Sequence, residues 1–226
     1  MNVFILSTGR SGSTTLERAC SHITNYSADH ESRSHLVGED RLAYPNNHIE
    51  SDNRLSWFLG RLENNYSGSE TFYVVLSRDR EKIAHSYAKR FIPGLILQAY
   101  ANGILLRTIP LNQAWRAKLP LTENKKLEIA RDYVDTVMAN IELFIKNKSN
   151  VIRMDIDNPI PQFKKLWQSI GAEGNLDCAL NEFKIKHNPS EKTEVLGLHS
   201  LSKLMRVSYE KLKRIIIKLP SFISEA

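Results

Sequence analysis

Gly9-Arg10-Ser11-Gly12 is a short glycine-flanked turn, and Ser13, Thr14 and Thr15 follow it directly. Before the turn, Asn2-Val3-Phe4-Ile5-Leu6 reads as an apolar strand; after it, the pattern turns helical. A turn of this kind aims backbone N–H groups and the positive end of a helix at one spot, where an anion binds. Arg10 adds a permanent charge there, and the hydroxyls add donors. The nucleotide-triphosphate version of such a loop is Gly-x-x-x-x-Gly-Lys-Ser/Thr. This loop is shorter and has Ser13 where the lysine would stand, which disfavours an ordinary NTPase.

A second anion-binding candidate follows another strand. Phe72 to Ser77 is an apolar run ending at Arg78-Asp79-Arg80, with a helix expected over Glu81–Phe91. Arg78 stands at the strand's carboxyl end, outside which ligands bind in open parallel sheets. Ser86, eight residues on, sits two turns into the helix if Asp79 starts it. A guanidinium and a hydroxyl placed this way can hold one phosphate from two directions.

Together the two motifs resemble those of the sulfotransferases that use 3′-phosphoadenosine 5′-phosphosulfate. That family's phosphosulfate loop is matched by Gly9, Arg10, Ser11, Gly12, Ser13 and Thr14, and its 3′-phosphate motif by Arg78, Asp79 and Ser86. Val151 to Asp157, with a helix over Gln162–Ile170, resembles a later strand and helix of the family. The chain departs from the pattern at Arg80, where proline is usual, and at Thr15, where the cytosolic branch has tryptophan. That branch's late Gly-x-x-Gly-x-x-Lys is absent. The loop arginine is closer to the tyrosylprotein, carbohydrate and bacterial branches.

The resemblance implies a three-layer P-loop-type α/β fold and transfer of a sulfuryl group to a hydroxyl or amine, leaving 3′-phosphoadenosine 5′-phosphate and needing no metal. Donor-binding residues are then Gly9, Arg10, Ser11, Gly12, Ser13, Thr14, Thr15, Arg78 and Ser86, with Arg10 also catalytic. In the tyrosylprotein branch a catalytic glutamate follows the loop arginine by twenty-one residues, as Glu31 follows Arg10. Glu31 is the leading general base, unless it is a loop carboxylate paired with Arg33. His30 is the runner-up; alternation along a strand points the two to opposite faces. The acceptor implied is a small molecule, a carbohydrate or a peptide.

Two other readings fit the same residues. A small-molecule kinase with a variant loop needs an aspartate at a strand end for Mg²⁺, and Asp155 is available. A non-catalytic module for an anionic nucleotide or polyanion needs the cradle alone.

The elements that must position these groups are legible from periodicity. Strands are expected over 2–7, 72–77 and 150–155, with a short one near 27–31. Helices are expected from Ser13 to Ile23, from about His48 to Leu62 and from about Lys125 to Lys146, each with a three-four apolar stripe. In the second, Leu55, Phe58, Leu59 and Leu62 form the stripe, and the polar group His48, Glu50, Asp52, Asn53 and Arg54 opens the helix as a cap or an acceptor contact. Strands alternating with helices give a parallel sheet with right-handed crossovers.

At 226 residues and 42% hydrophobic, the chain makes one folded domain, 1–226. Residues 92–120, rich in breakers, form either a substrate-facing insertion or a connector. Residues 200–218 read as a basic amphipathic helix docking on the body. The net charge of +6 suits an anionic substrate, while aromatics for stacking bases are scarce and nucleic acid is not expected. No apolar run spans a bilayer, no leader is apparent and a cytoplasmic protein is expected. Cys20 and Cys178 make no disulfide framework, and Cys20 falls on an apolar helix face.

Overall fold

Among the described residues five strands pair in one sheet, and all four pairings are parallel. The strands are β1 (Asn2–Leu6), β2 (Ser27–His30), β3 (His48–Ser51), β4 (Thr71–Ser77) and β5 (Val151–Asp155), in the order β2-β3-β1-β4-β5. The structure is a computed structural model that describes residues 1–92, 95–105 and 121–185. All of these fall in one unit, Met1–His187.

Sequence explains the order. Asn2–Leu6 is buried at every residue, and so is Thr71–Leu76, as central parallel strands covered on both faces require. Ser27–His30 and Val151–Asp155 alternate in exposure and take the two edges.

The helices are α1 (Ser13–Cys20), α2 (Leu59–Asn65), α3 (Arg80–Ala88), α4 (Ile96–Ala99), α5 (Glu123–Ile145), α6 (Ile160–Ser169) and α7 (Leu176–Glu182). Leu16 of α1, Leu166 of α6 and Ala179 of α7 pack with Val3, Ile5 and Val74 on one face of the sheet. Leu62 of α2, Tyr87 of α3 and Tyr133 of α5 pack with Phe4, Leu6 and Val75 on the other. The adjacent strands β1 and β4 therefore send their following helices to opposite faces. Their carboxyl ends flank the crevice where parallel α/β sheets bind ligands.

One element differs in kind from expectation. His48 to Leu62 is not one helix: His48–Ser51 is a strand, Asn53–Trp57 a 3₁₀ turn, and α-helix begins only at Leu59. All four strand residues are buried, and the two polar side chains His48 and Glu50 face partners that satisfy them. Leu55 and Leu62 are core residues as expected, while Phe58 and Leu59 are only partly buried. The first helix stops at Cys20, although Ile23 is still buried. Among the described residues no helix is long and apolar enough to cross a membrane. Residues 200–218, His187 to Ser190, 93–94 and 106–120 lie outside the described residues.

Candidate functional site

The turn after β1 is built from left-handed backbone. Gly9, Arg10 and Gly12 have φ of 80°, 57° and 91°. Positive φ at these positions makes a tight turn, the kind of backbone that can present N–H groups to an anion. Neither glycine is replaceable without strain. A Cβ at Gly9 would meet the Tyr87 hydroxyl and the Asn53 amide, and one at Gly12 would sit inside the Ile156 side chain. Gly12 is the N-cap of α1 and makes no side-chain hydrogen bond to the helix end, whose N–H groups carry the positive pole of the helix. Ser13, Thr14 and Thr15 form its first turn. Ser11 is fully buried, and its hydroxyl has no hydrogen-bond partner among the described residues.

The loop is braced from below. Both Tyr87 of α3 and Tyr133 of α5 donate to the Thr8 carbonyl, at 2.5 and 3.0 Å. Ser7 Oγ accepts from Gly9 N at 3.2 Å, and Ser56 Oγ donates to the Ser7 carbonyl at 3.1 Å. Burial holds the Tyr87 phenol far above its ordinary pKa, so it stays a donor. The sequence signal for this brace is the buried stripe Ile83, Ala84, Tyr87 and Ala88 on α3, which carries Tyr87 inward beside Ser86.

The structure joins the two sequence motifs. Arg10 Nε donates to Ser86 Oγ at 2.9 Å, and Arg78 Nη1 reaches the Arg10 carbonyl at 3.5 Å. Asp79 caps α3 by accepting from Lys82 N at 2.8 Å, as the two-turn placement of Ser86 requires. Ser86 is thus oriented by Arg10; its hydrogen bond is not to Arg78. Among the described residues no carboxylate lies within ion-pairing distance of Arg10. Burial lowers the pKa of its guanidinium, and the charges of Arg90 and Arg78 lower it further. Arg90 is a site neighbour that the sequence motifs do not mark. Arg78 has a loose partner, Asp157 at 3.9 Å, which Lys82 Nζ holds at 2.7 Å. The Arg78 Nε is buried without a hydrogen bond.

The two candidate bases stand at the carboxyl end of β2 with different partners. His30 Nε2 lies 3.1 Å from the Ser13 hydroxyl, so its ring touches the cradle. Glu31 follows with φ of 55°, its N–H bonded to the Ser51 carbonyl. Its carboxylate pairs with Arg54 at 2.7 Å, not with Arg33, whose guanidinium donates to the Asp40 carbonyl. Burial alone would lower the Arg54 pKa, but Glu31 and Asp52 outweigh it and raise it. Behind Arg54, the buried Asp52 accepts from Arg54 N at 2.8 Å and pairs with the buried Arg41. Burial raises the Asp52 pKa against the pull of both arginines. Arg54, read from sequence as part of a helix start, instead orients Glu31.

Asp155 accepts from Asp157 N at 2.9 Å and closes its own turn. Among the described residues no three His, Cys, Asp or Glu side chains group to hold a metal ion. The chemistry the site offers is anion binding by the loop backbone, a guanidinium with no ion pair among the described residues and a second arginine, with a carboxylate and an imidazole at the neighbouring strand end. No family model, curated protein or solved structure matches the chain.

Proposed function

We propose that this chain is a sulfotransferase using 3′-phosphoadenosine 5′-phosphosulfate, with a hydroxyl or amine of a small molecule, carbohydrate or peptide as acceptor. The observation that carries the reading is the Arg10–Ser86 hydrogen bond, which unites a phosphosulfate-type loop with a 3′-phosphate-type motif at one crevice. The donor set fits the anion: left-handed loop backbone, two glycines that admit no Cβ, and a buried Ser11 hydroxyl without a partner.

When bound, the donor supplies the sulfuryl group and leaves as the 3′,5′-bisphosphate. The Gly9–Gly12 backbone, Ser11, Ser13, Thr14 and Thr15 hold its phosphosulfate end; Arg78 and Ser86 hold its 3′-phosphate. Arg10 stabilises the negative charge that builds on the leaving phosphate and the sulfonate oxygens, the kind of preorganised donor that supplies most of such accelerations. Ser86 fixes the direction of the Arg10 guanidinium. Glu31 takes the proton of the acceptor, held in place by Arg54, and His30 orients the Ser13 hydroxyl. Metal-independent binding of 3′-phosphoadenosine 5′-phosphate, in preference to ATP, tests the reading.

A further inference from the structure

Ser27, His48 and Glu50 have no part in the proposed transfer. Ser27 and His48 open β2 and β3 and are register partners, at the amino ends of the strands rather than the carboxyl ends. Strand β2 is an edge of the sheet, and Ser27 is exposed. His48 and Glu50 are 2% and 0% exposed.

The three side chains form a directed chain. Ser27 Oγ lies 2.8 Å from His48 Nδ1, and His48 Nε2 lies 3.0 Å from Glu50 Oε2. Glu50 also accepts from the Ser32 N–H at 3.0 Å and from the Ser32 hydroxyl, so three donors converge on one carboxylate. A carboxylate only accepts, so Nε2 is the donor to Glu50; in the neutral imidazole Nδ1 then offers its lone pair to the Ser27 hydroxyl. Tyr44 stacks on the imidazole at 5.3 Å and 13°, and Asn2 Oδ1 accepts the His48 N–H at 3.2 Å. These contacts hold the imidazole ring in place. A hydroxyl on a base that a third group orients is the arrangement of an activated nucleophile.

We propose that Ser27, His48 and Glu50 give the chain a second activity, cleavage of small carboxylic esters through an acyl-serine. Ser27 Oγ attacks the ester carbonyl carbon while its proton passes to His48 Nδ1. The carbon–oxygen bond to the alcohol breaks, and the departing alcohol oxygen takes that proton back. Water then adds to the acyl carbon, giving its proton to His48; the acid leaves and Ser27 recovers the proton. The Glu50 carboxylate stabilises the imidazolium in both halves. This activity is independent of the sulfotransferase reading.

The test uses the full chain, an alkyl fluorophosphonate and intact-mass spectrometry. Phosphonylation forms an oxygen–phosphorus bond at Ser27, expels fluoride and sends the proton to His48. The expected result is one adduct, mapped to the peptide carrying Ser27, absent from Ser27→Ala and formed about a hundredfold more slowly by His48→Gln and Glu50→Gln. Hydrolysis of p-nitrophenyl acetate should fall in the same three variants. Circular dichroism verifies the fold of Ser27→Ala, and mapping the wild-type adduct needs no variant at all. No adduct on wild type, an adduct that survives Ser27→Ala, or an unchanged rate in a folded His48→Gln protein would each overturn the proposal and leave a strand-to-strand contact without reactivity.

Discussion

Arg10 and Ser86, 76 residues apart in sequence, meet through a 2.9 Å hydrogen bond from Nε to Oγ. The bond aims a half-buried guanidinium that no carboxylate neutralises among the described residues. It also makes one site of two motifs that lie on opposite-facing connections of β1 and β4.

Arg10→Ala should lower sulfuryl transfer by roughly 10²–10³, the cost of about 2.7–4 kcal/mol seen when one preorganised donor is removed. Ser86→Ala should act in the same direction by a smaller factor, because the guanidinium remains while its aim and one 3′-phosphate contact are lost. Turnover of both variants against wild type, with folding verified by circular dichroism, checks the pair. A loss under tenfold in Arg10→Ala would take Arg10 out of catalysis.

Gly12→Ala should destabilise the fold by about 1–3 kcal/mol, since it combines a Cβ inside Ile156 with a left-handed φ of 91°. Adding Ile156→Ala removes the collision and leaves the backbone cost and a cavity. Urea unfolding of the two variants separates these contributions: a single variant as stable as wild type means that the loop does not hold this conformation.

Much of this site was legible in sequence because its parts are local. Apolar runs fix β1, β4 and β5; glycine, arginine and hydroxyl residues directly after the first two mark where an anion would sit. Strand β3 was not legible. His48-Ile49-Glu50-Ser51 carries polar side chains that are buried only because Ser27 and Ser32 from other segments satisfy them, and no local pattern announces such partners. The Glu31–Arg54 pair was hidden for the same reason. Arg33 is nearer in sequence, but the left-handed turn at Glu31 and the 3₁₀ turn after β3 bring Arg54 to the carboxylate instead. Tyr87 and Tyr133 brace a carbonyl of the loop across 79 and 125 residues, a relationship only the tertiary structure supplies.

Glu31→Gln should reduce transfer to an alcohol acceptor by about 10²–10⁴, the usual range for a positioned general base, and leave affinity for the bisphosphate product within about twofold. His30→Gln should instead weaken donor binding modestly, because its ring contacts Ser13 of the cradle. Paired calorimetry and turnover discriminate the two residues. The reverse pattern, with transfer lost in His30→Gln and kept in Glu31→Gln, would make His30 the base.

The two cysteines should differ sharply toward a thiol reagent. Burial pushes the Cys20 thiol well above its ordinary pKa, while Cys178 is exposed. Titration with a chromogenic disulfide at pH 8 should register one fast thiol in the native protein and two after denaturation. Two fast native thiols would mean that α1 does not bury Cys20.

Calorimetric titration of 3′-phosphoadenosine 5′-phosphate into wild type and Arg78→Ala, without metal and with ATP plus Mg²⁺ as the comparison, tests the central claim most directly. The account predicts micromolar, metal-independent binding to wild type, loss of that binding in Arg78→Ala and weaker binding of ATP. No binding of the bisphosphate, or a preference for ATP with Mg²⁺, would contradict it and bring the kinase reading forward.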